Sequence, residues 1–589
     1  MILFPRGRLT AGLIVALLSN VSVPAPALAQ TAPRLPRLPS GETIPLPPAD
    51  ETILEEQIPD TPLPSDPLPT LPDPDELLAP VNPSGPGEDL NDADATFFVD
   101  DIQIQGSTVF TAADFADLIA PYVDRQVSFN ELLQLRTAIT ERYVEAGYLT
   151  SGALIPPQTL VDNVVILQVI EGELEDIVIT GTTRLNEGYV RSRIERVATP
   201  PLQVENLLAG LQRLQLDPLI ETVAADLQAG VRPGTSLLVL DITEAESFDV
   251  TTRLANNRSP NIGGTQRTLG ISEGNLFGLG DKISFDYKNT DGSDGFDLSY
   301  TLPISANNDT LRLAAGYSSS QVINSVFSVL EISSDSYYYE LGWRHPFIET
   351  PTTDLAVGLT LSHQRSQTRL GLDNIGPFPL SPGADDNGST RVTALRFFQE
   401  WTQRSEQHVL ALRSQFNLGV GALGATVNDI GPDSRFLSWR GQGQWVQSLG
   451  SDTLFFLRGD AQLALNDLLS AEEFGLGGAQ SVRGYRQDAL LRDNGTLLSA
   501  ELRLPIARVP ELDGVLQVIP FIDAGVAWNF DGSSTGPNTL VGAGLGLLWQ
   551  QGNDFSARLD WGIPLVDLAG ERSGWQDNGI YFSIQYTPF

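Results

Sequence analysis

The chain has 589 residues but no cysteine, a single methionine and only three histidines. The absence of cysteine excludes disulfides, thiol catalysis and thiolate metal sites. His345, His363 and His408 lie too far apart in the sequence to form a local metal-binding motif. Neither a P-loop nor a Gly-x-Ser-x-Gly motif is present, so the sequence predicts no enzyme, no metal and no other cofactor.

Basic residues are scarce as well. The chain has 36 lysines and arginines against 73 aspartates and glutamates, which gives a net charge of −37. A polyanion of this kind repels the phosphate backbone of DNA and RNA. We therefore expect no nucleic-acid partner.

Long hydrophobic runs are missing too. Arg6 and Arg8 precede the apolar residues 9–18, and Ala-Leu-Ala follows at 27–29. A basic flank, a short apolar core and a small-residue cleavage site are typical of a secretory signal peptide, which we assign to residues 1–29. Ten apolar residues are about half the length that a membrane-spanning helix needs, and no other stretch reaches ~18. The sequence thus predicts secretion and no transmembrane helix.

Residues 30–96 form an arm of biased composition. Residues 31–96 hold 16 of the 40 prolines and 14 acidic residues, against only Arg34 and Arg37. Proline fixes the backbone and removes hydrogen-bond donors, while the charge resists collapse, so we expect an extended or disordered arm. A short helix at 50–57 is the one candidate for a plug in this arm.

The next 150 residues contain the same pattern twice, β-α-α-β-β. In the first module, residues 97–172, Thr111 and Ser128 begin capping boxes for two helices. Its predicted strands cover 99–105, 148–155 and 164–170. In the second module, residues 173–247, we predict strands at 175–180, 219–228 and 237–243 and helices at 185–197 and 204–216.

From residue 248 to 589 the period changes from helical to alternating. Phe555, Leu559 and Trp561 share one face of a strand, and Arg558 and Asp560 share the other. About 340 residues at roughly 20 per strand and connection give about 16 strands. Closure into a cylinder satisfies every backbone group, as lipid requires. We therefore predict an all-β domain, a transmembrane antiparallel β-barrel.

A glycine-rich segment inside this region carries Val482, Arg483, Gly484 and Tyr485. By alternation, three residues of a later strand share one face: Phe521, Asp523 and Gly525. A carboxylate toward lipid is costly, which assigns this face to the lumen. We hypothesise that the loop folds back into the pore and that Arg483 forms a bidentate pair with Asp523.

Glycines complete this hypothesis. Gly484 would let the loop backbone lie close to the wall, and Gly525 would leave room beside the ion pair. Gly542, Gly544 and Gly546 resemble a dinucleotide fingerprint but open no helix. We interpret them as glycines on the luminal face of a strand.

These motifs resemble those of a known superfamily. Val482 to Tyr485 resembles the inward-folded loop of outer-membrane barrels that move or insert polypeptides, and the two modules resemble POTRA domains. Five residues of the first module resemble the first POTRA domain of the two-partner secretion transporters, the TpsB class of the haemolysin secretion/activation family: Gly147, Tyr148, Pro156, Pro157 and Gln158.

The resemblance implies a function. Such a protein lies in the outer membrane of a diderm bacterium, with its POTRA domains in the periplasm. It exports a large secreted partner of the adhesin or haemolysin type in an extended state, which the five signature residues would help to capture. It contacts outer-membrane lipid, depends on the barrel-assembly machinery for insertion and acts as a monomer.

Two alternatives remain at this point. The first is an outer-membrane protein insertase of the same superfamily, for which we would expect a further module upstream of residue 97, where the proline-rich arm stands instead. The second is a passive solute porin, a class without paired modules and without the Val-Arg-Gly-Tyr loop. A large secreted protein encoded beside this one would favour the transporter.

Overall fold

The computed structural model describes residues 96–324, 327–450, 453–533, 536–568 and 574–588. The predicted signal peptide, residues 1–29, and the candidate plug helix, residues 50–57, lie outside these ranges. Among the described residues, no helix combines the length and the apolar character needed to span a membrane.

The first module is a small α/β unit whose sheet has the strand order β2-β5-β4. Strand β5 runs parallel to β2 and antiparallel to β4. The helix α2 packs Leu132, Leu135, Ile139 and Tyr143 into the core. The elements are β1 (Thr96–Val99), β2 (Asp101–Gln105), α1 (Ala116–Ile119), β3 (Arg125–Ser128), α2 (Phe129–Glu145), β4 (Gly152–Leu154) and β5 (Val164–Ile170).

Three details differ from the sequence prediction. The first strand breaks at Asp100, and β1 pairs with β3, a strand that the pattern did not predict. The helix after Thr111 is a series of short helical turns between 112 and 122. Strand β4 has three residues, because the backbone N–H of Tyr148 bonds Tyr143 O at 2.9 Å and thereby keeps the chain in a turn.

The second module repeats this topology. Its strand order is β6-β8-β7, with β6 parallel and β7 antiparallel to β8. Observed boundaries lie within two residues of the predicted ones. The elements are β6 (Glu173–Thr180), α3 (Glu187–Val197), α4 (Val204–Gln215), β7 (Ile220–Ala229) and β8 (Thr235–Glu244).

In both modules a glutamate at the end of the last strand accepts hydrogen bonds from backbone amides of an earlier loop. Gly106 follows β2 and Gly181 follows β6, both with φ of +84°, a conformation that favours glycine. The amides that follow donate to a glutamate at the end of the last strand, as in Thr108 N–H to Glu171 Oε1 at 2.6 Å. Although burial opposes the shift, these hydrogen bonds hold the pKa of Glu171 and of its counterpart Glu244 below the ordinary value.

A Glu171→Gln variant should loosen the first module in a pH-dependent way. The folded-state pKa is depressed, so this carboxylate stabilises the module above about pH 4.5, and the contribution is lost as the pH falls through the folded value. We expect a loss of about 1 kcal/mol at pH 7 that shrinks in acid. Hydrogen exchange of the Thr108 and Val109 amides measures it, with exposed Glu141→Gln as control; equal effects of both variants would contradict it.

Backbone hydrogen bonds join the two modules and fix the second module against the barrel turns. Val204 N–H donates to Gly147 O at 3.0 Å. On the barrel side, Asn186 N–H donates to Gly278 O at 2.9 Å. The turn at residues 275–281 thus contacts the second module. We call this the proximal end of the barrel and the opposite end the distal end.

In the described part of the chain, sixteen long antiparallel strands form a closed barrel, with β27 pairing back onto β9. This confirms the predicted fold class. The short strand β16 pairs with β15, and β21 and β22 form a separate two-stranded sheet. The strands are β9 (Phe248–Ala255), β10 (Gln266–Gly274), β11 (Lys282–Asn289), β12 (Ser293–Pro303), β13 (Thr310–Gln321), β14 (Ile332–Glu349), β15 (Thr353–Leu370), β16 (Gly376–Pro377), β17 (Ser389–Arg404), β18 (His408–Gly419), β19 (Leu437–Ser448), β20 (Leu454–Ala464), β21 (Phe474–Leu476), β22 (Leu490–Arg492), β23 (Asn494–Val509), β24 (Gly514–Trp528), β25 (Thr539–Gln551), β26 (Phe555–Pro564) and β27 (Ile580–Tyr586).

The outer face of the barrel is apolar and the inner face polar. Leu498, Ile522 and Trp561 each expose more than half of their surface. Their strand neighbours Asp523 and Asp560 are buried toward the inside. We call this apolar outer face the apolar belt. It is stable only in an apolar surrounding, as a transmembrane barrel requires.

Candidate functional site in the barrel lumen

The long connection between β20 and β23 folds back into the barrel. We call residues 465–493 the luminal loop: its base is 465–473, its stem is the paired strands β21 and β22, and its tip is 477–489. Both flanking strands meet at the distal end, so the loop enters the lumen from there. Stem and tip side chains pack with the wall residues Leu497, Ala527 and Leu540 in one apolar cluster.

Glycines let the tip turn tightly. Gly477, Gly478 and Gly484 have φ of +106°, +105° and +107°, in a region that L side chains rarely adopt. A Cβ at Gly484 would also lie 2.9 Å from Pro564 N on β26. The tip backbone therefore lies directly against the wall, as the hypothesis for Gly484 required.

The structure places Arg483 in a bidentate pair with Asp523 on β24. Arg483 Nε lies 2.7 Å from Asp523 Oδ2, and Nη2 lies 2.8 Å from Oδ1. The Arg483 backbone N–H also donates to Oδ2, at 3.1 Å. The side chains are only 3% and 0% exposed, so water screens this pair very little.

Further wall residues surround the guanidinium. Nη1 lies 2.5 Å from Glu501 Oε1, which also accepts from Arg558 Nη2 at 2.8 Å. The Arg483 guanidinium carbon lies 3.5 Å from the centre of the Phe521 ring, close enough for a cation–π contact. Arg483 thus lies between two carboxylates and an aromatic face, which together fix its direction.

Two tyrosines hold the rest of the motif. The Gly484 N–H donates to the Tyr581 hydroxyl at 2.9 Å, and this hydroxyl donates to Tyr485 O at 2.5 Å. The Tyr485 hydroxyl accepts from Val566 N–H at 3.0 Å and lies 2.9 Å from Val541 O. Val482 is fully buried in the loop–wall cluster. All four motif residues therefore contact the inner wall.

Wall glycines make room for the tip. A Cβ at Gly542 would lie 1.8 Å from Arg483 O, and one at Gly562 would lie 2.6 Å from Gly484 N. Gly542 therefore faces the lumen, as the sequence pattern predicted. The room at Gly525 is taken by Leu476 of the loop stem, whose Cδ2 would lie 2.8 Å from a Cβ there, and not by the ion pair.

A Gly542→Ala variant should displace the loop tip. The added methyl group collides with a backbone oxygen that is itself held by the Arg483–Asp523 pair, a strain of about 1–3 kcal/mol. We expect higher single-channel conductance of the purified protein in planar bilayers. Gly459→Ala is the matched control, because a Cβ at Gly459 has no neighbour closer than 3.8 Å. Identical conductance of both variants would contradict close contact at Gly542.

The five signature residues of the first module lie at the end of α2 and in the segment that follows β4. Gly147 ends α2 with φ of +86°, and the Tyr148 ring packs edge-on against Tyr143. The side-chain amide of Gln158 bonds β5 as the backbone of a neighbouring strand would. Ile166 N–H donates to Gln158 Oε1 at 2.8 Å, and Gln158 Nε2 donates to Ile166 O at 2.7 Å. Pro156 and Pro157 lie in the connection between β4 and Gln158. Their role in substrate capture stays a prediction.

Several contacts of the site did not follow from the sequence. Tyr581 and Gly562 were missed as partners of the loop, although alternation places both on the luminal face. Glu501 was not identified as a second acceptor for Arg483, although alternation places it on the polar face of its strand. The alternation of side chains along each strand shows which residues face the lumen. It does not show how far along the barrel axis the loop tip reaches.

Comparison with known proteins identifies two matching family models. The model described as haemolysin secretion/activation protein ShlB/FhaC/HecB matches residues 234–548. The model described as POTRA domain, ShlB-type, matches residues 97–172. The second range coincides with the first module.

Similar proteins of known name are transporters. The outer membrane transporter CdiB of Escherichia coli is 23% identical over 498 residues, covering 80% of this chain and 79% of its own length. The heme/hemopexin transporter protein HuxB of Haemophilus influenzae is 22% identical over 416 residues, covering 67% and 70%.

Solved structures share the fold. CdiB from Escherichia coli aligns with a TM-score of 0.60 at 22% identity, covering 86% of this chain and 93% of that one. CdiB from Acinetobacter baumannii gives 0.58 at 19% identity, covering 91% and 96%.

Proposed function

This chain belongs to the haemolysin secretion/activation family ShlB/FhaC/HecB, and on that premise we propose how it moves its cargo. Proteins of this family are outer-membrane transporters that export a partner protein, with POTRA domains in the periplasm. We propose that the partner crosses in an extended state through the lumen beside the loop. The observation that carries the proposal is a luminal loop locked to the inner wall of a closed barrel.

The proposed division of labour follows the chain. Residues 1–29 direct secretion, 30–96 form a spacer arm, and residues 97–172 and 173–247 are the two POTRA domains that receive the partner. Residues 248–589 form the conducting barrel. The proximal end then faces the periplasm and the distal end the cell exterior.

Partner capture is proposed to use strand edges. Within the described residues, β2 and β4 are the outer strands of the first sheet, and β6 and β7 those of the second. An extended polypeptide can add to such an edge by main-chain hydrogen bonds, which do not depend on its sequence. Gln158 already occupies part of the β5 edge, so it would guide the incoming strand to the remaining edges.

The conducting path is proposed to begin beneath the loop tip. A polar cavity of about 530 Å³ lies there, lined among others by Arg458, Arg503, Arg558 and Gln444. A hydrated lining suits a polypeptide backbone that has lost its own hydrogen bonds. Passage beyond the tip requires the Arg483–Asp523 contact to open for the polypeptide and to form again afterwards.

The remaining features of the proposal concern the surroundings of the barrel. The apolar belt contacts outer-membrane lipid, the barrel-assembly machinery inserts the chain, and the chain works as a monomer. We propose no catalytic role, because Arg483, the charged residue of the motif, forms ion pairs with the wall.

Co-expression tests the function. The chain is produced in Escherichia coli together with a large secreted protein that is encoded beside it in the source genome, where one is found, and protease added to intact cells reports surface exposure of that protein. We expect exposure only when both genes are present. Unchanged exposure without this chain would overturn the transporter. Loss of other outer-membrane proteins on deleting its gene would favour the insertase, and solute flux alone the porin.

A further inference from the structure

A second ion pair fixes the luminal loop to the wall, at the base of the loop. Arg396 on β17 and Glu472 of the loop base form a bidentate contact, with Nη2 to Oε1 at 2.7 Å and Nη1 to Oε2 at 3.0 Å. The two side chains are 9% and 7% exposed. This pair has the same chemistry as the pair at the tip with the charges exchanged, since here the wall supplies the arginine.

The wall orients Arg396 for this contact. Its Nε donates to Ser362 Oγ on β15 at 3.1 Å, and its Nη1 also donates to Asn417 Oδ1 on β18 at 3.1 Å. Bonds from both neighbouring strands therefore fix the plane of the guanidinium, and its remaining edge faces Glu472. A lysine offers no planar fork and could not reproduce this arrangement.

Apolar packing reinforces the base. Leu468 and Leu469 share a buried cluster with Val392 and Ala394 of β17. The base thus attaches to β17, whereas the tip attaches to β24 and its neighbours. Strands β18, β19 and β20 separate β17 from β23, the nearer of the two wall strands that bond Arg483. The loop is held at two independent places with its stem between them.

We propose that Arg396 is a positioning residue for export: with Glu472 it keeps the loop base fixed while the tip moves past the translocating polypeptide. The inference deepens the proposed function. A loop released at the tip alone can swing about its base and return, because the base contact guides the tip back to Asp523. A loop released at its base has lost that guide.

Charge exchange tests this positioning role. Single-channel recordings of the purified full-length protein in planar bilayers compare wild type with Arg396→Glu, Glu472→Arg and the double exchange. We expect each single reversal to raise the frequency of open events at least about fivefold and the double exchange to restore it within about twofold. Arg413→Ala is the control, because Arg413 bonds the wall residues Glu400 and Gln415.

A thiol bridge tests the fixed base directly, since the chain has no cysteine of its own. Arg396→Cys with Glu472→Cys is treated with a bifunctional maleimide, and so is a second protein with Arg483→Cys and Asp523→Cys. We expect bridging of the base to restore wild-type conductance and to permit export, and bridging of the tip to stop export. Loss of export on bridging the base would overturn the proposal.

The outcomes separate this inference from the function on which it depends. The positioning role is overturned if Arg396→Glu and Glu472→Arg both open as rarely as wild type while their barrels are heat-modifiable and hence folded. This holds whatever the export result. Should the neighbouring secreted protein prove not to depend on this chain, the conductance pattern still decides whether Arg396 positions the loop. If single reversals fail to fold, the bridged and unbridged cysteine proteins supply the comparison.

Discussion

Arg483→Ala is expected to lower export of the partner by about tenfold or more while leaving the barrel in the outer membrane. The substitution leaves Asp523 and Glu501 buried without the guanidinium that both contact. Removing one partner of a buried pair costs about 3–5 kcal/mol, enough to make the wall-bound tip a minor state. Export is measured by surface proteolysis of the partner, and insertion by heat-modifiable migration of the barrel.

A double-mutant cycle isolates the pair. We expect a coupling of about 1–3 kcal/mol between Arg483→Ala and Asp523→Ala in the free energy of unfolding of the detergent-solubilised protein. Asp354, which pairs with Arg344 at 2.8 Å, serves as the control partner for Arg483, and those effects should add. Zero coupling between Arg483 and Asp523 would contradict a stabilising role of this ion pair.

Deletion of residues 97–246 is expected to abolish export and to preserve the barrel. The strand β9 begins only at Phe248 and pairs with β10 and β27, so every barrel pairing remains. The deletion removes all strand edges at which we propose that the partner binds. The shortened chain should still be heat-modifiable and conduct ions in planar bilayers.

A point variant separates binding of the partner at the strand edges from the contact between the second module and the barrel. Arg213 on α4 of the second module pairs with Glu349 at the proximal rim of the barrel. Arg213→Ala weakens this docking contact but keeps all strand edges, so its export should fall less than that of the deletion. Export at the wild-type level after the deletion would discard the capture role of the POTRA domains.

Local patterns in the sequence were sufficient for the architecture. The capping box at Ser128 began α2 as predicted, because both of its hydrogen bonds lie within four residues. Alternation along β24 placed Asp523 inside and Ile522 outside, because a strand turns each successive side chain to the opposite face. The strand β3 was missed, since its pairing with β1 joins residues about thirty positions apart.

The sequence predicted one of the two ion pairs of the loop and not the other. Arg483 and Asp523 were proposed as partners because the motifs that contain them resemble those of a known family. Arg396 and Glu472 have no such motif and lie 76 residues apart. Neither residue differs in sequence context from other charged residues of the barrel, such as Arg413 or Glu400, which pair within the wall.

The sequence by itself determined the order of the elements, the polar and apolar faces of each strand and the family to which the chain is related, because these depend on neighbouring residues. Apart from the Arg483–Asp523 pair, the tertiary structure alone decided which charges of the loop and the wall meet. Closure of the barrel sets the register of sixteen strands at once, and that register determines the height of Arg396, Glu501 and Asp523 on the wall. The path of the loop across the lumen then selects their partners.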